Sequence, residues 1–249
     1  MSASGREAAA PAATFAVIVA LGVERAALRA YVERDPPLGV LQSGPGPERA
    51  ASAATAALAS GASGLLSFGL AGALRAELDP GTVLLPRRVR SAAGASFDVD
   101  PEWHAQIDTA ARDLGLEPAL DDLLSVPSAI TTVAEKAKAA ADGAAAADME
   151  SAAIAAVAAR AGARFVALRV VVDAAGDELP ADIERWIDER GERRIGAALL
   201  AALNPKEWRG LWMLAQRYRA ARRTLARLAP IVSGAPFGPD ARAARRAAV

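Results

Sequence analysis

Runs of hydrophobic residues alternate along the chain with segments that have the periodicity of helices. Continuous apolar and β-branched runs predict buried strands, and alanine-rich segments with charged residues at helical spacing predict helices. Strands that alternate with helices form a mixed, mostly parallel sheet that is covered on both faces. The sequence therefore predicts an α/β fold with three layers, α/β/α, followed by a C-terminal helical extension.

The elements predicted from this pattern cover most of the chain. The predicted strands are 14–21, 39–42, 64–68, 82–89, 123–126, 144–147 and 163–172. The predicted helices are 24–33, 48–60, 102–114, one that begins at a capping box at Thr132 and Glu135, 150–161, 183–203, and a last one that follows Asn204-Pro205 and runs to about Leu228. Glycine-rich turns are predicted at 43–47 and 69–72, and a loop without clear period at 90–101.

Three regions follow from the same pattern. Residues 1–13 are small and polar and predict a disordered tail, residues 14–203 predict one globular domain, and residues 204–249 predict a basic helical arm and tail. The boundary is placed at Asn204-Pro205, because proline cannot continue the preceding helix.

The amino-acid composition excludes several kinds of catalytic and metal site. The 249 residues include no cysteine and one histidine, His104, which excludes disulfides, cysteine nucleophiles and metal sites built on thiolates or several histidines. A formal net charge of +0 gives no general nucleic-acid signature. Without a signal peptide or a run of about 18 apolar residues, the chain is predicted to be cytoplasmic. His104 is interpreted as a packing or surface residue and is assigned no role.

Carboxylates stand where two predicted strands end. Asp148 and Glu150 lie between the strand 144–147 and the next helix, and Asp173 ends the strand 163–172. Open α/β sheets bind ligands outside the carboxyl ends of their strands, so these acids are predicted to share a site on neighbouring strands. Simpler interpretations stay open: Asp173 as a helix N-cap or turn residue, and Glu150 as a first-turn acid.

Both glycine-rich turns follow predicted strands. Glycine there lets backbone N–H groups approach an anion or a sugar, although tight strand-to-helix turns explain it equally well. Neither turn has the Gly-Lys-Ser/Thr ending of a Walker loop or the spacing of a dinucleotide-binding loop.

The motifs SGPG, FGLAGAL, DPGTVLLP, DMESAAIA and RVVVDAAGD follow one another in this chain. In that order they resemble the nucleoside phosphorylase and methylthioadenosine/adenosylhomocysteine nucleosidase superfamily over about residues 14–200. The DMES form, the segment Thr-Val-Ala-Glu-Lys at 132–136 and the basic tail look most like its hopanoid-associated branch. Members of that branch are thought to remove adenine from adenosylhopane.

The resemblance implies an enzyme that cleaves the N-glycosidic bond of an adenine nucleoside, with adenosylhopane as the first candidate substrate. It implies no cofactor, with inorganic phosphate as co-substrate if the reaction is a phosphorolysis, and a homo-oligomer. Two alternatives stay open: a soluble methylthioadenosine/adenosylhomocysteine nucleosidase, and a non-catalytic nucleoside-binding membrane adaptor.

The resemblance also assigns roles to residues. Asp173 corresponds to the acid that protonates purine N7, Glu150 to the carboxylate that holds the ribose hydroxyls, and Glu24 to the glutamate that positions the attacking water. An ordinary surface position stays an alternative for Glu24. The residues expected beside the sugar and the nucleophile are Met149, Gly69, Ala71 and Gly72.

The sequence departs from the superfamily where bacterial phosphorylases hold phosphate with an arginine and a serine. Those places correspond to Ser67 and Leu70, and Val172 replaces the serine of the usual Ser-Asp pair. Phosphate ligands are predicted instead from Ser43, Gly44 and Arg25, and the choice between hydrolysis and phosphorolysis stays open. The candidates for stacking on the base are Phe97 and Phe165.

The segment Lys206–Arg227 combines seven basic residues and one acid with apolar residues at three- or four-residue steps. This pattern is typical of a helix that lies in a membrane interface, and it predicts peripheral contact with the inner face of the membrane. A helix that packs on the catalytic domain or on an oligomer neighbour is the alternative. Nucleic-acid binding through the same arginines is disfavoured.

Overall fold

The computed structural model describes residues 15–33, 39–180, 188–192 and 208–234, with the side chains of the last segment described from 215 to 233. The strands are β1 (Phe15–Val19), β2 (Val40–Gln42), β3 (Gly64–Ala73), β4 (Val83–Leu84), β5 (Arg88–Ser91), β6 (Ser96–Asp98), β7 (Leu123–Ser125), β8 (Ala146–Asp148) and β9 (Arg164–Asp173). The helices are α1 (Gly22–Ala27), α2 (Arg29–Val32), α3 (Pro47–Ala59), α4 (Pro101–Asp113), α5 (Val133–Ala141), α6 (Ser151–Ala161) and α7 (Trp208–Gly234).

In the described part of the chain, all nine strands join one sheet. Its main path is β2-β1-β3-β8-β7-β5-β6, with β9 paired to β3 and β4 paired to β9. Five of these strand pairings are parallel and three are antiparallel. The prediction of a mixed, mostly parallel sheet is therefore confirmed.

The core is built around β1, β3 and β9, whose residues are nearly all buried. Helices α3 and α6 pack against each other and contact β3, whereas α7 packs against β9 and also contacts α1 and α4. Alanine supplies most of the buried face of α3 and α6, so these helices approach the sheet closely. Strands buried in this way need continuous apolar sequence, which is the pattern that predicted them.

The second glycine-rich turn is not a turn. β3 continues from Gly64 to Ala73 and pairs with β9 over this length, with a β-bulge between Ala71 and Gly72. The glycines therefore lie inside a strand. A Cβ at Gly69 would overlap the side chains of Glu24 and Arg169. Glycine is therefore required here for space and not for a turn.

Four further predicted elements differ from the structure. The strand 82–89 is divided into β4 and β5 around Pro86, because proline lacks the N–H group that continues a ladder. The edge strand β6 forms within the predicted loop 90–101, and the predicted helix 24–33 is interrupted at Leu28. The predicted helix 183–203 fails at 188–192, a turn with Gly191 at φ 81°; its other residues lie outside the described residues.

The C-terminal helix packs on the sheet as part of the core. Its residues Ala221, Leu225 and Leu228 are fully buried, and the Thr224 hydroxyl donates a hydrogen bond to the Gly81 carbonyl, with an oxygen-to-oxygen distance of 2.9 Å. Leu225 and Leu228 belong to the apolar stripe predicted to face a membrane, and this part of the prediction is wrong because they pack against protein. Among the described residues, no helix is long and apolar enough to cross a membrane. The predicted tail 1–13 and the boundary at 204–205 lie outside the described residues.

Candidate active site

One buried arginine organises the centre of the site. Arg169 lies in β9 with 1% of its surface exposed. Its Nη2 atom is 2.6 Å from Asp148 Oδ2 and 3.9 Å from Glu150 Oε2. The same atom donates to the hydroxyls of Ser67 at 2.6 Å and Ser151 at 2.9 Å. A guanidinium inside an apolar strand needs such partners, because an unpaired buried charge costs several kcal/mol.

Glu24 is buried beside this arginine. Its Oε2 accepts hydrogen bonds from the backbone N–H groups of Ala20 at 2.8 Å and Leu21 at 2.9 Å, and its Oε1 accepts one from Leu70 at 2.8 Å. Burial raises the pKa of Glu24, and the charge of Arg169 opposes that rise. Glu24 is therefore no surface residue, and its carboxylate is fixed between the end of β1 and the middle of β3.

Glu150 is the N-cap residue of α6 and is likewise buried. Its Oε1 accepts a hydrogen bond from the Gly46 N–H at 2.9 Å, which ties the first glycine-rich turn to the acidic cluster. Burial, with repulsion from Asp148 as the next cause, raises the pKa of Glu150 to about 7. The carboxyl group is thus poised to gain or lose a proton near neutrality.

Asp148 holds the start of α6, a role that the sequence did not assign. Its carboxylate accepts the Ser151 N–H at 3.1 Å and the Ser125 hydroxyl, and it forms the shortest ion pair of Arg169. An aspartate commonly accepts a backbone N–H a few residues later along the chain, so the sequence did contain a signal for this contact. Asp148 neutralises Arg169 and leaves Glu150 only a distant contact with it.

Asp173 ends β9 and is 3% exposed. Its Oδ2 accepts a hydrogen bond from Nζ of Lys136, which also donates to the Ala174 carbonyl at 2.8 Å. A Cβ at Gly72 would come 3.0 Å from Asp173 Oδ1, so this oxygen faces the bulge in β3. Burial raises the pKa of Asp173, while the charges of Lys136 and Arg217 act to lower it.

The two acidic strand ends meet at Gly72. The sequence predicted that β8 and β9 are neighbours, and this is wrong, because β3 lies between them. Gly72 pairs with Ala147 of β8 on one side and with Asp173 of β9 on the other. Paired Cα atoms lie about 4.5–5.5 Å apart, so β3 brings Asp173 and the DMES segment to one place.

The structure gives the predicted phosphate ligands other contacts, and their role stays a prediction. The Ser43 hydroxyl donates to the carbonyls of Gly44 at 2.7 Å and Val19 at 3.3 Å, and Arg25 is exposed on α1. The segment 188–192 covers Gly44, because a Cβ there would overlap the Glu189 carbonyl. The segment 188–192 thus lies against one side of the turn that was predicted to bind phosphate.

The predicted aromatic residues lie away from the acidic cluster. Phe165 lies at the start of β9, eight residues before Asp173, which corresponds to about 26 Å of extended strand. Phe97 lies in the short edge strand β6, where it pairs with Val89. Met149 is half-buried beside Glu150. His104 is buried, with Nε2 3.0 Å from the Leu85 carbonyl, as a packing residue would be.

Residues 1–204 match the model of a family described as the phosphorylase superfamily. The chain belongs to this superfamily. The resemblance inferred from the DMES segment and the strand that ends in Asp173 is thereby confirmed at the level of the superfamily. No curated protein matches the chain in sequence.

Solved structures of other superfamily proteins have the same fold. A 5′-methylthioadenosine/S-adenosylhomocysteine nucleosidase from Neisseria meningitidis is 21% identical, with a TM-score of 0.68 over 90% of this chain and 100% of that chain. The corresponding nucleosidase from Helicobacter pylori is 14% identical, with a TM-score of 0.69 over 90% and 99%. Futalosine hydrolase from Helicobacter pylori is 13% identical, with a TM-score of 0.65 over 87% and 97%. At these identities the similarity shows the fold alone.

Proposed function

We propose that this member of the phosphorylase superfamily hydrolyses the N-glycosidic bond of an adenine nucleoside. The observation that carries the proposal is the buried network in which Glu24, held by three backbone N–H groups, stands beside Arg169 and Glu150. Asp173 lies at the edge of this network, opposite Gly72. Adenine as the base is supported by the motif resemblance and by the fold shared with methylthioadenosine/adenosylhomocysteine nucleosidases.

The three acids supply what the reaction needs. When the C1′–N9 bond breaks, its electron pair moves to the purine and positive charge develops on the ribose. Asp173 gives a proton to N7 of the purine, and Glu150 accepts hydrogen bonds from the ribose hydroxyls and opposes the positive charge. The oxygen of a water molecule bonds to C1′, and Glu24 accepts the water proton.

The acidic residues at the site favour water over phosphate as the nucleophile. Glu24, Asp148 and Glu150 surround Arg169, so three carboxyl groups face one buried cation. A phosphate ion would be repelled by each of these carboxyl groups that is ionised, and repulsion between like charges is strong at low dielectric. The segment 188–192, which covers Gly44, supports the same conclusion.

Within this substrate class, the first candidate is adenosylhopane. It is supported by the resemblance of the DMES and Thr-Val-Ala-Glu-Lys segments to the hopanoid-associated branch. The exposed arginines on α7 add support, because each basic residue near an anionic lipid surface contributes about 1 kcal/mol to binding; they are Arg219, Arg222, Arg223 and Arg227. On this proposal the protein is cytoplasmic and binds the inner face of the membrane peripherally.

The alternative substrate is methylthioadenosine or adenosylhomocysteine, favoured by the solved structures of similar fold. A non-catalytic adaptor is disfavoured, because Glu24, Glu150 and Asp173 are all buried in the arrangement that the proposed reaction requires. The homo-oligomer implied by the resemblance stays a prediction, which light scattering of the purified protein tests.

The deciding experiment is chromatography of incubations with methylthioadenosine and with adenosylhopane in vesicles, each with and without phosphate. We expect adenine and a free ribosyl product from at least one substrate, at a rate independent of phosphate. Release that requires phosphate and yields a ribose 1-phosphate would overturn hydrolysis. No adenine from any substrate would overturn the proposed activity.

Membrane contact is tested by charge reversal on the exposed face of α7. R222E/R223E is expected to slow adenine release from vesicle-borne adenosylhopane and to leave the rate with methylthioadenosine unchanged. The control is R160E/K138E, which reverses two exposed charges on α6 and α5. Equal rates for both variants on vesicles would contradict the membrane role of α7.

A further inference from the structure

The helix α5 buries a lysine and exposes a valine, the reverse of what an amphipathic helix normally does. Lys136 is 2% exposed and is the buried residue of this helix, whereas the apolar Val133, one turn earlier, is 38% exposed. A helix that only packed on the domain would bury the valine and expose the lysine. The sequence therefore keeps a cation inside the protein at a place where packing alone favours an apolar side chain.

The buried ammonium group of Lys136 faces the proposed acid directly. Nζ donates to Oδ2 of Asp173 and, at 2.8 Å, to the carbonyl of Ala174, the residue after Asp173. Removing an ammonium from water costs several kcal/mol, which these two close oxygen acceptors offset. The helix begins with a complete capping box, in which Thr132 and Glu135 bond reciprocally, so the backbone that carries Lys136 is well fixed.

This contact distinguishes the two oxygens of Asp173. Oδ2 is bonded to Lys136, whereas Oδ1 is the oxygen nearer to Gly72, at 3.0 Å against 3.3 Å from a Cβ there, where the DMES segment and β9 meet. A carboxyl group held by one oxygen cannot rotate freely. The other oxygen is then the one that presents the proton to a bound base.

We propose that Lys136 is a positioning residue for Asp173, which holds Oδ2 and stabilises the carboxylate that forms when Oδ1 gives its proton to the leaving base. This inference rests on the proposed function. In the step, the proton moves from Oδ1 to purine N7, the C1′–N9 pair moves to the base, and water supplies the new bond to C1′. Lys136 stays protonated throughout, and Asp173 regains its proton from solvent after the base leaves.

The charges around Asp173 fit this role. Lys136 faces it from α5, and Arg217 approaches from α7, where it pairs with Asp177. Asp177 in turn accepts the Ala174 N–H at 2.8 Å. Burial raises the pKa of Asp173 and both cations act to lower it, so the carboxylate that forms when the proton leaves is not left unpaired.

The experiment compares K136M and K136R with K138M, which makes the same change at an exposed lysine of the same helix. K136M is expected to lower kcat for adenine release by about tenfold or more, with KM little changed, since general acid catalysis contributes about 10²–10⁴-fold. With the cation gone, the pKa of Asp173 rises further, so the loss of activity at high pH moves to higher pH. K136R is expected to restore part of kcat, and K138M to match the wild type.

A second measurement does not depend on activity. Titration of the Asp173 carboxyl by carbon-13 NMR is expected to give a higher pKa in K136M than in the wild type and in K138M. An unchanged Asp173 titration, or equal losses of kcat in K136M and K136R with an unmoved pH profile, would overturn the role of Lys136. If the titration moves as expected but the wild type releases no base from any nucleoside, the proposed function fails and the pairing of Lys136 with Asp173 stands.

Discussion

The carboxyl group of Asp173 combines a chemical role with a structural one. D173N is expected to lower adenine release by about 10²-fold or more, because an amide has no proton to give to N7. It also replaces the carboxyl group that holds the buried Lys136 ammonium by an amide that can never ionise, so we expect a lower melting temperature. The double variant D173N/K136M is expected to regain thermal stability but not activity. Recovery of activity in the double variant would contradict the assignment of the acid.

Glu150 makes stability depend on pH. Its pKa rises from 4.5 to about 7 on folding, which corresponds to roughly 3 kcal/mol. A raised pKa means that the folded state binds the extra proton, so this stability is present below about pH 4.5 and is lost as the pH rises through about 7. E150Q, which cannot ionise, is therefore expected to melt higher relative to the wild type at about pH 8 than at about pH 5.

The control for this prediction is E77Q, because Glu77 is exposed. Its melting temperature is expected to follow that of the wild type at both pH values, as measured by circular dichroism. A constant difference between E150Q and the wild type across the pH range would show that Glu150 does not titrate there.

Three candidate acids came from the sequence: Glu150 and Asp173 from their places at the ends of elements, and Glu24 from the resemblance alone. Glu150 and Asp173 follow apolar strands, and Glu24 follows the first strand. The roles of Arg169 and Lys136 were harder to predict from the sequence. Arg169 interrupts an apolar strand and Lys136 lies on a mostly exposed helix, and only their burial shows that each serves a carboxylate.

The strand β3 shows why the glycine-rich segments were harder to interpret. Glycine is a local signal for a turn, but at Gly69 the missing side chain makes room for Glu24 and Arg169, which come from distant parts of the chain. The layers, the parallel pairings and most helices could be predicted, since they follow from periodicity. The three-residue strand β6 and the turn at 188–192 depend on contacts between elements and could not.

A substitution at Gly69 tests whether Glu24 and Arg169 need the space that this glycine leaves. G69A places a Cβ where the ends of the Glu24 and Arg169 side chains lie, so we expect both to shift and adenine release to fall by about tenfold or more, with a smaller effect on melting temperature. The matched control is G176A, since nothing lies within 4 Å of a Cβ at Gly176. Equal activity of the two variants would contradict the role of the close approach at Gly69.

At the scale of the whole molecule, the C-terminal helix α7 extends the core by packing against the sheet. Leu225 is fully buried, and L225A is expected to cost about 2–5 kcal/mol of folding free energy. R223A, two residues earlier on the exposed face, is expected to leave stability unchanged. Denaturant unfolding of both variants measures the difference, and similar midpoints would show that α7 adds little to the core.

The packing of α7 on β9 has a practical consequence for handling the protein. The superfamily match ends at residue 204, whereas buried residues of the core continue to Val232. A recombinant fragment that ends at residue 204 would expose the apolar surface of β9 to solvent, and we expect it to aggregate on concentration. Expression boundaries are better drawn beyond Gly234, where the last described turn of the helix ends.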